Sequence, residues 1–147
     1  TKLNNVMIDD KSGRGICVID LDTVMPGLAL YDFGDMVRSA TRSGAEDEQD
    51  LSKIYFKKEM FEALVKGYGE SAGKFLNKVE KEFLAFSAIL ITFEIGIRFL
   101  TDFLAGDVYF KTHRPDQNLD RCRTQFKMVA EMERARNWME TTVNSLV

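Results

Sequence analysis

The chain has 147 residues, 45% of them hydrophobic and eleven of them Phe, enough for one soluble, globular domain with a real core. A net charge of −3 with the two signs interspersed offers no basic face to a nucleic-acid backbone and no like-charge tail, which sets nucleic acid aside as a partner. Cys17 and Cys122 lie far apart without CxxC spacing and the single His113 has no second His near it, so neither a zinc site nor a disulfide framework is indicated and a reducing cytoplasm is the natural setting.

The opening TKLNNVMIDD begins inside a patterned strand, without a starting Met or a leader, and reads as a piece of something longer. Val6-Met7-Ile8 and Ile16-Cys17-Val18-Ile19 are short apolar runs rich in β-branched residues, and the DDKSGRG between them is turn chemistry; together they predict a β-hairpin. Pro26-Gly27 breaks the chain. A short helix is expected from Asp32 to about Ala40, with Asp32 as its cap and Asp35 completing a variant capping box. SGAEDEQD reads as a solvated loop. Three helical stretches follow, about 50–69, 77–105 and 118–143, the last with Leu119, Cys122, Phe126 and Val129 as one apolar stripe. The longest apolar run, Phe83 to Phe93, stops at Glu94, too short to span a bilayer, and reads as a buried helix. The expected architecture is mainly α with a small β-hairpin at its start, an α+β fold in a single domain.

The stretch VIDLDTVMPGLALYDFGD holds four aspartates. Asp32-Phe33-Gly34 spells the DFG that protein kinases use for magnesium, but the hairpin points elsewhere. If the strands pair symmetrically about Ser12 and Gly13, Asn5 lies opposite Asp20, and facing Cβ atoms are only about 5 Å apart. An amide oxygen and a carboxylate so placed suit a magnesium ion, which takes one or two hard oxygens from protein and the rest from phosphates and water. Asp22 points the same way if the strand continues, as a second ligand or a holder of its waters. The alternative is that Asn5, Asp20 and Asp22 are strand-end polar residues in water.

These residues resemble a known superfamily. NNVMID, VIDLD and YDFGD look like the catalytic core of the aminoglycoside phosphotransferase and choline kinase superfamily, small-molecule relatives of protein kinases. There, an H-x-D motif supplies the catalytic base, an Asn follows that Asp by five residues, and a hairpin leads to a metal-binding IDxD-like motif. The resemblance implies that Asn5 and Asp20 bind metal, with Asp22 as a possible second, and that Asp32 braces the catalytic loop. The base falls just before Thr1. CVIDLDTVMPGLALYDFGDMVR, TFEIGIRFLTDFLAGDVYFKTHR and NLDRCRTQFKMV are similar, as a set, to bacterial N-acetylhexosamine 1-kinases, which phosphorylate the anomeric hydroxyl of GlcNAc or GalNAc with ATP. That similarity implies the C-terminal helical lobe of a kinase-like fold, with the nucleotide lobe and the base outside this chain, and a fragment inactive by itself.

Glu94, Arg98 and Asp102 fall at i, i+4 and i+8 on an otherwise apolar helix. They read either as a structural ion ladder or as a stripe that hydrogen-bonds sugar hydroxyls, for which the planar fork of Arg98 is suited. Tyr109, in DVYFKTHR, offers a ring to a sugar face, and the resemblance implies sugar contact at Arg98 and Tyr109. Gly96 and Gly106 each cost a helix about 1 kcal/mol relative to Ala and suggest close backbone approach. His113 and Trp138 read as structural, and Arg121 and Arg123 as a solvated face or phosphate ligands. The function expected is ATP- and magnesium-dependent phosphorylation of a small sugar in the cytoplasm, with ATP, the sugar and the nucleotide lobe as partners and no membrane. Kinases acting on an amino alcohol, amino acid or aminoglycoside remain as rivals, as does a non-catalytic helical binding module.

Overall fold

The computed structural model describes residues 3–22 and 24–147. Its organising element is α3, Lys78–Leu104. The Asn77 side chain accepts from the Glu80 amide at 2.9 Å while the Glu80 carboxylate accepts from the Asn77 amide at 2.8 Å, a complete capping box that fixes where the helix begins. Its end is set by Gly106, whose φ of +92° suits the left-handed turn that closes a helix; no atom lies close enough to need the missing Cβ. Gly106 is therefore a helix terminator and not the close-approach glycine expected.

Three helices pack on α3: α1 (Ala29–Ala40), α4 (Gln117–Arg134) and α5 (Arg136–Leu146), while α2 (Lys58–Ala72) packs on α1 and α5. Glycines set two of these contacts. A Cβ on Gly34 would sit 2.7 Å from the Ser87 carbonyl and from Ile91 of α3, and one on Gly96 would sit 2.7 Å from the Phe126 ring of α4. Phe33, Phe61, Leu84, Met128, Met132 and Met139 fill the space between, all fully buried, and Trp138 stacks edgewise and tilted on Phe56 and Phe61. By length and composition α3 could cross a membrane, contrary to the reading of its apolar run as too short. Half of its most apolar window is buried inside the fold.

The hairpin forms as expected, β1 (Val6–Ile8) against β2 (Gly15–Val18), antiparallel. Its register differs by one. Val6 faces Val18 and Met7 faces Cys17, and a bulge between Met7 and Ile8 shifts the pairing toward the turn. Asp9 organises that turn by accepting from the Lys11 and Ser12 amides and the Ser12 hydroxyl.

Five further expectations change. Helix α1 starts three residues before Asp32, with Leu28 at its cap position and no side-chain cap, so Asp32 lies in the first turn. Asp35 completes no cap; it pairs with Arg38 at 2.7 Å, one helical turn on. The 43–50 segment is anchored rather than solvated: Arg38 holds Glu46, Gln117 and Arg114 hold Asp47, and the Thr124 hydroxyl donates to the Glu48 carbonyl. The stretch expected as one helix from Asp50 is a single 3-10 turn, Leu51–Lys53, then an extended run that buries Ile54 and Phe56 at alternate positions before α2. The last long helix divides at Ala135 into α4 and α5, and the deepest stripe of α4 is Asn118, Gln125, Met128 and Met132.

Candidate active site

The hairpin and α1 enclose a cavity of about 690 Å³ lined by Asn5, Asp20, Asp32 and Asp35. Asn5 does not face Asp20 on the ladder; its carbonyl accepts from the Ile19 amide at 2.8 Å. The two side chains meet nonetheless, because Asp20 has a φ of +63°, a left-handed conformation rare outside Gly, Asn and Asp. That turn swings its carboxylate back to accept from Asn5 Nδ2 at 2.8 Å. Strain at a single residue thus recovers the pairing that the register loses. Backbone outliers of this kind gather where a site needs a side chain aimed. β2 ends at Val18, so no strand carries Asp22 to the same face; it lies on an exposed turn outside the cavity. Asp32 lines the cavity from α1.

No group of three or more His, Cys, Asp or Glu among the described residues forms a ready metal cage. Two oxygen donors do fit an ion that arrives with phosphates, because magnesium keeps most of its shell as water and phosphate oxygens. The Asn5–Asp20 hydrogen bond and a shared ion are alternatives: the amide must present Oδ1 in place of Nδ2 for both residues to coordinate.

The second cavity, about 880 Å³, runs between α1, α3 and the segment after α3. Its walls include Tyr31, Asp35, Arg38, Glu46, Glu94, Arg98, Tyr109 and Arg121. Tyr31 and Asp35 line both cavities, so the two share a border on one face of α1. The charged stripe of α3 makes only its first rung. Arg98 lies 3.9 Å from Glu94, both half-exposed, a pair worth little in water. The guanidinium spreads over the Tyr109 and Phe110 rings, 5.8 and 5.6 Å from their centroids.

Asp102 leaves the ladder. It is buried and accepts from the Tyr109 and Phe110 amides at 2.8 and 2.9 Å and from Asn118 Nδ2 at 2.8 Å. Burial pushes its carboxyl up, but the Phe110, Tyr109 and Val108 amides and Asn118 outweigh it and hold the group below its ordinary value. Asp102 therefore fixes the segment that carries Tyr109. Asn118, fully buried, joins Asp102 to Asp107 and accepts from Arg121 at 2.7 Å. Arg121 consequently faces the groove instead of solvent, and its guanidinium lies 5.5 Å from the Phe99 ring centroid. His113 is exposed, and its backbone amide donates to Gln117. Arg123 reaches Asp120 on its own helix.

Sequence reasoning missed Asn118 and the Asp35–Arg38–Glu46 bridge. The i, i+3 spacing of Asp35 and Arg38 was a legible signal for half of the bridge. Nothing local marks Glu46, eight residues on.

Residues 1–72 match the model of the phosphotransferase enzyme family, APH. The match supports a phosphotransferase of the aminoglycoside phosphotransferase and choline kinase kind, and the mostly helical body with one two-stranded sheet is consistent with a kinase-like fold. It covers the hairpin, α1 and α2 and stops before α3, so it spans the Asn5–Asp20 cavity and leaves Arg98, Asp102 and Tyr109 unmatched. The match therefore bears on the Asn5–Asp20 cavity and not on the α3 wall of the larger groove.

Proposed function

We propose that this chain is the C-terminal lobe of an ATP- and magnesium-dependent small-molecule kinase whose acceptor is a sugar, specifically the anomeric hydroxyl of an N-acetylhexosamine such as GlcNAc or GalNAc. The observation that carries the reading is the shared border of the two cavities, which puts hard oxygen donors on one side and a polar, aromatic-edged groove on the other. Phosphoryl transfer asks a protein chiefly for positioning and charge stabilisation, and such a border supplies both. When bound, magnesium-ATP supplies the phosphoryl group with its charge partly neutralised. Asn5 and Asp20 hold the metal, and Asp32 braces the catalytic loop from α1. Arg98 and Tyr109 seat the sugar, and Asp102 contributes by fixing the Tyr109 backbone. Met7, Ile16, Val18 and Leu21 are exposed on the hairpin and its exit, apolar surface that an adjoining nucleotide lobe would cover.

A quaternary amine is a poorer fit than a polyol. The faces of Tyr109 and Phe110 already carry the cation of Arg98 and so are not open to a second cation. The test is an acceptor panel with the full-length protein and ATP: GlcNAc, GalNAc, glucose, choline, homoserine and an aminoglycoside. Phosphorylation of the hexosamines at the anomeric position is expected. Turnover of choline or an aminoglycoside in their place would overturn the sugar reading, and no ATP-dependent turnover of any acceptor would favour a binding module. The 147-residue chain alone is expected to be inactive.

A further inference from the structure

We infer that Asp35 is an acceptor-binding residue, taking a hydrogen bond from an acceptor hydroxyl other than the one phosphorylated, and that Arg38, balanced by Glu46, is the positioning residue that holds it there. The inference rests on the reading of the larger groove as the acceptor site.

Asp35 lines both cavities and so stands where acceptor and phosphate must meet. Its side chain is 26% exposed, and among the described residues its carboxylate is engaged through Oδ1, by Arg38 Nε at 2.7 Å. A carboxylate accepts through both oxygens, so Oδ2 retains its acceptor capacity. The Arg38 side chain is 4% exposed, and a buried guanidinium needs charge partners to be tolerated. Asp35 supplies one and Glu46 the other, through Arg38 NH1 at 2.8 Å. Arg42 comes within 4.0 Å of Glu46, not of Asp35, and among the described residues the ion pair of Asp35 is with Arg38. With the guanidinium bonded to both acids, Asp35 cannot rotate without breaking a buried ion pair. That is the preorganisation a substrate-orienting group requires. A solvated surface carboxylate would need no buried arginine behind it.

The test uses the full-length protein, its best acceptor from the panel above, and that acceptor's monodeoxy analogues. Asp35→Asn, nearly isosteric, is expected to raise the acceptor KM about 10- to 100-fold, the range for losing a hydrogen bond to a charged group, with the magnesium activation constant unchanged. One monodeoxy analogue should lose about as much against the wild type and nothing further against Asp35→Asn, since both changes remove the same contact. Arg38→Lys should show the same KM shift in weaker form, and Arg38→Met in stronger form. A purely structural role for Asp35 would give additive losses with every analogue and would overturn the inference. So would a changed magnesium requirement with the acceptor KM intact, which would place Asp35 at the metal. If the panel selects an acceptor that is not a sugar, the sugar reading falls, and the same cycle on that acceptor still decides the role of Asp35.

Discussion

The hairpin and the helical body solve different problems. Every residue of β2 is exposed, Ile16 by 64%, and among the described residues the strand's hydrogen-bonded pairing is with β1. The helices bury a continuous core in which Phe33, Phe61 and Leu84 have no exposed surface at all. Yet Asn5 and Asp20 flank the sparsely supported hairpin, whereas Arg98 lies on α3 and Tyr109 on the segment that Asp102 anchors to it. The cavity lined by Asn5 and Asp20 is therefore bordered by the element least stabilised by packing. Two residues of the DFG triplet belong to the body and one to the cavity: Phe33 is core, Gly34 is the notch through which α1 meets α3, and Asp32 lines the cavity of Asn5 and Asp20.

This contrast can be broken by variants that ought to strike one region only. Phe33→Ala is expected to cost about 3–5 kcal/mol of global stability in urea titration, taking both cavities with it. Gly34→Ala should cost about 1–3 kcal/mol, because the Ser87 carbonyl is backbone and cannot yield to the new Cβ. On the hairpin, Gly13 has a φ of +67°; Gly13→Ala should loosen the turn by about 1 kcal/mol, visible as faster amide exchange in β1 and β2 with the midpoint for the helices unchanged. The smallest effect is one of pH. The native carboxyl of Asp102 titrates below its ordinary value of 3.8, so its contribution is complete above that pH and is lost as pH falls through the native value. Amide exchange at Tyr109 and Phe110 should therefore quicken at the acid end, and Asp102→Asn should abolish that dependence.

Much of the fold was legible where local chemistry decides it. The start of α3 near residue 77 was anticipated, and β-branched runs around a glycine turn announced the hairpin. What was not legible depended on distant partners. Asp32 looked like a cap because nothing nearby reveals that Ala29 and Leu30 gain more by joining α1 and packing on the core. The acidic 43–50 segment looked solvated because its partners, Gln117, Arg114 and Thr124, lie about seventy residues on. The break at Ala135 carries no Gly or Pro to mark it. At the site, the nearness of Asn5 and Asp20 was anticipated by a symmetric register, but it arises from a bulge and a left-handed Asp20. Asp102 was placed on the right helix with the wrong partner, since its ligands are backbone amides that no spacing rule displays.

The central claim is that metal and acceptor are handled by separate regions meeting at Asp35. Steady-state kinetics of Asp20→Ala and Arg98→Ala in the full-length protein, with GlcNAc and magnesium-ATP varied independently, test it most directly. Asp20→Ala should lower kcat at least about a hundredfold with little change in the GlcNAc KM or in thermal midpoint, and Arg98→Ala should act mainly through the GlcNAc KM. A reversed pattern, with Asp20→Ala near normal in kcat or Arg98→Ala acting on magnesium-ATP alone, would contradict the account.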